Sequence, residues 1–330
     1  MAAHLHQGIV DHDRSVLYHW FNQRPIGCIR FLAGPAPRGE LSAMVDYAKT
    51  RAWRSGDVRH VYTARDTILY ALGVGAASDP LDERQLRLVY EKDLVPLPTM
   101  ATVLASPGAW MRDNTELGIN FAKMVHGEQS VQMHAALPPS GILVGKSRVA
   151  RLVDKGEGKG AIMYVEKELW DEADKRLVAV SEQVLFLRGD GGFSQRSGGD
   201  EPAAAPPLVP DRTPDRVITL PTRPDQAVLY RLSGDLNPLH IDPAVANKAG
   251  FQRPILHGLA TYGFACRGLV ETFCDSDPAS LKSIRARMSA PVFPGDTIRL
   301  ECWRLDHRIA FQARVVERDA LVLSHGWAAT

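Results

Sequence analysis

Tyr230-Arg-Leu-Ser-Gly-Asp235-Leu-Asn237-Pro238-Leu-His240-Ile-Asp242-Pro243, followed by Gly250-Phe-Gln-Arg253-Pro254-Ile-Leu-His257-Gly258, is the most informative stretch of the chain. Asp235 and His240 stand five residues apart across Asn237-Pro238. Proline bars a continuous helix there, so the chain turns, and a turn brings a carboxylate and an imidazole to face one space. That is the side-chain pair of general acid–base chemistry. The same letters have a plainer reading, in which Asp235 and Asn237 cap the turn and His240 is a satisfied core histidine. The residues alone leave both open.

Beyond Gly258, the residues Leu259, Tyr262, Cys266, Leu269, Val270 and Phe273 recur at spacings of three and four, the pattern of a core helix. Residues 283–290, 296–305, 310–317 and 320–326 follow as short, partly alternating segments separated by Pro294-Gly295 and Arg318-Asp319, which predicts an antiparallel sheet. Upstream, 141–154, 160–170 and 177–187 end the first half in the same way. Between the halves, residues 189–214 read GDGGFSQRSGGDEPAAAPPLVPDRTP, a composition without apolar periodicity that cannot order a backbone by its own burial.

The order of segments repeats across that linker. Leu69-Tyr70-Ala71-Leu72-Gly73-Val74-Gly75 matches Leu229-Tyr230-Arg231-Leu232-Ser233-Gly234-Asp235; Pro98–Thr102 stands where residues 256–261 do; 136–141 parallels 290–295. The plan is α+β, one helix against a curved antiparallel sheet, made twice. The expected boundaries are an extension at 1–43, a first half at 44–188, a linker at 189–215 and a second half at 216–330. His4, His6, His12 and His19 fall in the extension at spacings that suit no metal site.

Composition narrows the function. The chain has 330 residues, 45% hydrophobic and 23% charged, which suits about two globular domains and excludes wholesale disorder. With 39 Lys+Arg against 38 Asp+Glu, the formal charge of +1 offers no broad basic field for nucleic acid or an anionic membrane. The longest uncharged stretch, 94–111, carries Pro96, Pro98 and Pro107, which break a spanning helix. No basic residue precedes Arg14, and Cys28, Cys266, Cys274 and Cys302 make no C-x-x-C, so a cytoplasmic protein without a leader or disulfide framework is expected.

Together, the run Y-x-L-S-G-D-x-N-P-L-H-x-D-P, the downstream R-P-I-L-H-G-L, Tyr62-Thr-Ala-Arg-Asp66-Thr-Ile-Leu-Tyr70-Ala-Leu-Gly73-Val-Gly75, Val125-His-Gly-Glu-Gln129 and Pro291-Val-Phe-Pro-Gly-Asp296 resemble the MaoC-like dehydratases. The resemblance is in particular to R-specific enoyl-CoA hydratase 2, including the hydratase part of peroxisomal multifunctional enzymes. It implies a double hot-dog fold, two antiparallel sheets each wrapped around a central helix, and addition of water to trans-2-enoyl-CoA giving the (3R)-hydroxyacyl-CoA. It also implies Asp235 and His240 as the catalytic dyad, Asn237 as an orienting residue, Gly258 as oxyanion donor, acyl accommodation by the first half, a homodimer, and no cofactor, coenzyme A being part of the substrate.

Those residues suit the chemistry. Hydration of a conjugated thioester needs a base for water attacking C3, an acid for C2, and donors for charge on the thioester oxygen. Asp235 and His240 supply the first two, with Asp235 taken as base, although coupled groups on one water leave the assignment open. Gly258 at a helix start supplies a free N–H without an obstructing side chain. Gly75 aligns with Asp235 and has no His five residues on, so the first half reads as a degenerate copy. Its apolar segments 68–74 and 94–104 suit an acyl tunnel or plain core. Arg253, Arg285 and Arg287 are candidate partners for coenzyme A phosphates. A metal triad of His240, Asp242 and His257 is disfavoured because Asp242 precedes Pro243 as a helix-start residue, and no metal is expected. Ser233 lacks a G-x-S-x-G elbow, Cys266 sits on the apolar helix face, and Gly73-Val-Gly75 lacks a dinucleotide fingerprint. The rival readings are a dehydratase for a specialised thioester and a non-catalytic acyl-CoA-binding protein.

Overall fold

The computed structural model describes residues 44–79 and 81–330, so the extension and its four histidines lie outside the described residues. Ten strands form one antiparallel sheet: β1 (Arg54–Tyr62), β2 (Met124–Met133), β3 (Gly141–Asp154), β4 (Ala161–Asp171), β5 (Leu177–Leu187), β6 (Arg216–Pro221), β7 (Ser283–Met288), β8 (Thr297–Leu305), β9 (Arg308–Val315) and β10 (Ala320–Ala329). The spatial order is β1-β3-β4-β5-β2-β7-β10-β9-β8-β6. Counted within each half from its outer edge, both read first, third, fourth, fifth, second. The weak internal repeat is thus a repeated topology, as the double hot-dog plan requires.

Two details differ from the expected pair of separate sheet-and-helix units. The halves share one sheet, because β2 and β7 pair antiparallel with Glu128 opposite Arg287 and Val131 opposite Ile284, which removes two exposed edges. Among the described residues only the second half holds a long helix, Gly258–Phe273, buried over Ala260–Val270. At the corresponding place the first half has a 3-10 turn, Pro98–Thr102, with Pro98 in its first turn. Proline is tolerated at such a start, while β-branched Thr99, Thr102 and Val103 do not favour a longer α-helix.

The two copies of the repeated segment touch. Helix Ala64–Gly73, opened by a Thr63–Asp66 capping box, meets the short helix Gln226–Tyr230 end to end. Gln226 donates from Nε2 to Leu72 O at 3.0 Å and Gly73 O at 2.8 Å, carbonyls in the last turn of that helix. Tyr70 and Tyr230 tilt together with ring centres 6.0 Å apart.

Residues 189–215 form no strand, yet the segment is not a free tether. Phe193 is fully buried, Trp303 Nε1–H donates to Arg212 O at 2.8 Å, and Trp327 Nε1–H donates to Pro207 O at 3.1 Å. Its own composition cannot order it; these partners outside it do.

Candidate active site

The site is carried by three irregular pieces around the start of the long helix. The 3-10 turn Pro238–His240 has Asn237 as its N-cap, whose Oδ1 accepts from Leu239 N–H at 3.0 Å. One turn earlier, Asp235 Oδ1 accepts from Asn237 N–H at 3.1 Å. Both capping roles of the plainer reading are therefore real, but Asp235 spends only one oxygen on them. Its Oδ2 lies 3.9 Å from His240 Nε2, with the Asp235 side chain 48% exposed and that of His240 only 9%. The Asn237 side chain caps the turn that carries His240.

Tautomers follow from carbonyls, which only accept. His240 Nδ1–H donates to Ile255 O at 2.9 Å, so neutral His240 turns a lone pair on Nε2 toward Asp235. His257 Nε2–H donates to Asp235 O at 3.1 Å, leaving its buried Nδ1 without a hydrogen-bond partner among the described residues. The His240 and His257 rings stack at 3.7 Å and 27°, and Tyr230 tilts against His257 at 4.9 Å. Burial holds His240 below the usual imidazole range, against a smaller upward push from the Ile255 carbonyl and Asp235. Burial first, and then the neighbouring His240, take His257 down to about 4. At neutral pH both rings are uncharged.

Gly258 opens the long helix directly after His257, its N-cap, where first-turn N–H groups lack intrahelical acceptors. A Cβ at Gly258 would stand 3.3 Å from Met288 Cγ, so the missing side chain keeps this approach open. The three ring or carboxylate atoms of Asp235, His240 and His257 lie within 4.8 Å of one another. Face-to-face imidazoles set their nitrogens side by side rather than converging on one centre, which suits hydrogen bonding to water better than chelation. Asp242 is outside this group, accepting from Ala244 N–H and Val245 N–H as the N-cap of helix Pro243–Lys248.

The three candidate phosphate partners separate. Arg285 and Arg287 do share a strand face, but both are committed to Glu128 of β2, at 2.6 Å and 2.7 Å. Burial pushes Glu128 up, and the two guanidiniums outweigh it and hold the carboxyl down. The register that pairs β2 with β7 creates this contact, which no local pattern announces. Arg253 remains 57% exposed, 3.7 Å from Asp296 and 4.9 Å over the Phe293 ring. The sequence reading also missed His126 of β2, where burial lowers the imidazole pKa while the charge of Asp235 and the Glu128 carbonyl oppose it.

The first half's counterpart of the site is filled. Gly75, aligned with Asp235, has φ +78°, and a Cβ there would stand 2.5 Å from Phe264 Cε1. Arg267 Nε–H donates to Val74 O at 3.0 Å beside it. The segments proposed as tunnel walls supply Tyr70, Val74, Leu97, Met100 and Leu104 to the main core, packed with Tyr230, Tyr262 and Phe264. Val95, Pro96 and Pro98 also border a cavity of about 210 Å³ with Met133–Leu137 and Pro278, whose lining does not include the dyad.

Residues 206–325 match the MaoC like domain, and residues 60–189 match the MFE-2 hydratase 2 N-terminal domain. Enoyl-CoA hydratase 2, peroxisomal, of Arabidopsis thaliana is 38% identical over 281 residues, covering 81% of this chain and 90% of the relative. The chain belongs to the MaoC-like dehydratase family. Peroxisomal multifunctional enzyme type 2 of Mus musculus is 40% identical over 272 residues, but this MaoC-like dehydratase spans only 36% of its length. The crystal structure of a MaoC-like dehydratase from Phytophthora capsici superimposes with TM-score 0.75 at 34% identity, over 86% of this chain and 98% of that one.

Proposed function

We propose that this MaoC-like dehydratase catalyses the reversible (3R)-specific hydration of trans-2-enoyl-CoA to (3R)-hydroxyacyl-CoA, with the chemistry confined to the second half. The observation that carries it is the 3.9 Å gap between Asp235 Oδ2 and His240 Nε2, two acceptors set to share one water. A water donating to both turns its lone pairs outward, toward C3 of a bound enoyl-thioester. Because His240 Nδ1–H is spent on Ile255, Nε2 brings no proton of its own, so the proton reaching C2 is one the dyad has just removed from water. The pair works as one proton carrier, Asp235 as first acceptor, with its charge stabilising the imidazolium when His240 holds the proton. Hydroxide adds to C3, the proton to C2, and Gly258 N–H meets the thioester oxygen as charge builds there. These steps call on no metal or organic cofactor.

Arg253 is our candidate for a coenzyme A phosphate, being the exposed cation on the chain that leads to His257, and the acyl group points toward the core shared with the first half. We further place the protein in the cytoplasm as a homodimer. Among the described residues no helix is long and apolar enough to cross a membrane, and Cys266, Cys274 and Cys302 are buried free thiols, which suits a reducing compartment. The sheet ends on β1 and β6, each paired on one side, with Val61 and Val217 exposed, and such edges favour strand pairing between copies.

The test is loss of the conjugated thioester absorbance when purified protein is added to crotonyl-CoA and then to a longer trans-2-enoyl-CoA, with the product's chirality determined. Hydration to the R product that survives exhaustive chelation supports the reading. Asp235→Asn and His240→Gln should each lower kcat at least roughly a hundredfold with folding retained. A folded wild type inactive on both thioesters refutes the proposal, as does a folded dyad variant that turns over normally.

A further inference from the structure

His257 is fully buried and touches both members of the dyad, yet it has no part in the proton transfer described above. It meets Asp235 through the backbone, donating Nε2–H to the carbonyl at 3.1 Å, and meets His240 through its ring face at 3.7 Å. It also immediately precedes Gly258, so one residue borders the carboxylate loop, the imidazole and the oxyanion N–H. The other titratable or charged groups facing it are Tyr230, tilted against it at 4.9 Å and 51°, and Arg231, on the turn that precedes Asp235.

We propose that His257 is a positioning residue that sets the Asp235–His240 separation and holds His240 in a dry, uncharged setting; this rests on the hydratase reading above. Two features distinguish it from ordinary core. First, Asp235 sits on an irregular loop and is half exposed, with Asn237 N–H as the other hydrogen bond fixing its loop position. A carbonyl tie to a buried ring therefore decides where its free oxygen stands relative to His240. Second, His257 Nδ1 is buried with no hydrogen-bond partner among the described residues, so a second proton would make an unpaired buried N–H next to His240. The ring stays neutral while His240 cycles through its imidazolium form, and the neighbouring positive charge does not have to compete with a second one. A phenyl ring would keep the shelf but lose the tie. A glutamine, whose amide reaches about as far as Nε2, would keep the tie but lose the shelf.

The experiment compares wild type, His257→Phe and His257→Gln by kcat and KM on crotonyl-CoA, by the pH profile of kcat/KM, and by NMR titration of the His240 ring. His257→Phe should lower kcat about tenfold or more with KM within about twofold, because alignment of the reacting water is lost while substrate contacts remain. His257→Gln should restore most of that kcat at neutral pH and raise the acid limb of the profile, with the His240 titration rising toward the ordinary imidazole range as water reaches the ring. The NMR titration reads the proposal independently of turnover, so a wild type inactive on the thioester would remove the hydratase reading while an unmoved His240 titration removes this one. Wild-type kcat in His257→Phe, or kcat losses that vanish when assayed well below a lowered thermal midpoint, would also overturn it.

Discussion

Substituting Gly75 by alanine tests whether the first half's counterpart of the site is filled by the second half's helix. The backbone there has φ +78°, and the added Cβ would stand 2.5 Å from Phe264 Cε1 and 2.8 Å from Cζ, distances at which something must move. Phe264 is fully buried in the main core and cannot swing out. The left-handed backbone costs a side chain about 1–2 kcal/mol and overpacking adds about 1–3, so Gly75→Ala should destabilise by roughly 2–5 kcal/mol. At about 2–4 °C per kcal/mol for a large domain, the thermal midpoint falls by roughly 4–20 °C. Chemical denaturation of Gly75→Ala, Phe264→Leu and the double variant separates the two causes. Trimming Phe264 relieves the clash but not the backbone strain, so the double variant should be more stable than additivity predicts by about 1–3 kcal/mol. Additivity within about 0.5 kcal/mol would show that Phe264 does not fill the place of the lost dyad.

Glu128→Gln should destabilise by about 1–3 kcal/mol, because it leaves two guanidiniums about a third exposed and short of their counter-charge at the seam between β2 and β7; a urea midpoint equal to wild type would refute this. Lys167 donates its three N–H groups to Ala101 O, Thr102 O and Leu104 O at 3.0, 3.0 and 2.5 Å, so Lys167→Met strands three inward carbonyls and should cost about 2–4 kcal/mol, read as a lowered thermal midpoint. His257, with its folded pKa near 4 against an ordinary value of 6.5, binds a proton more readily when unfolded; its contribution is complete above pH 6.5 and is lost as pH falls toward 4. Urea midpoints should therefore drop over that window more steeply in wild type than in His257→Phe. Arg253→Ala should raise KM for coenzyme A thioesters several-fold with kcat little changed, whereas equal KM for the acyl-CoA in variant and wild type would remove Arg253 from the substrate site.

What the sequence disclosed depended on range. Strands 141–154 and 177–187 and the long helix were legible because their burial alternates or recurs within a few residues. β1, RSGDVRHVY, and β6, RVITLP, were not, since edge strands are mostly exposed and carry little pattern. β2 lies at the centre of the sheet and still reads as polar, because its buried Glu128 is paired with the distant Arg285 and Arg287 and its buried Gln129 donates from Nε2 to the Glu182 carbonyl. Asp235, Asn237 and His240 could be singled out together because they lie across one turn. The commitment of Arg285 to Glu128, 157 residues away, was invisible for the opposite reason.

The duplication explains why there is one site and not two. Both halves repeat the same strand order, and Tyr70 and Tyr230 still face each other across the joint. The long helix serves both sides of that joint. Its start presents Gly258 to the Asp235–His240 turn, while Gly263 packs so closely that a Cβ there would meet Val74 Cγ1 at 2.4 Å, and Phe264 and Arg267 cover Gly75 and Val74. An aspartate at position 75 would therefore meet the Phe264 ring rather than open space, and no histidine follows five residues later to pair with it. The packing that seats the helix start beside Asp235 and His240 in one half closes the equivalent place in the other, so the asymmetry is held by the core as well as by the missing residues.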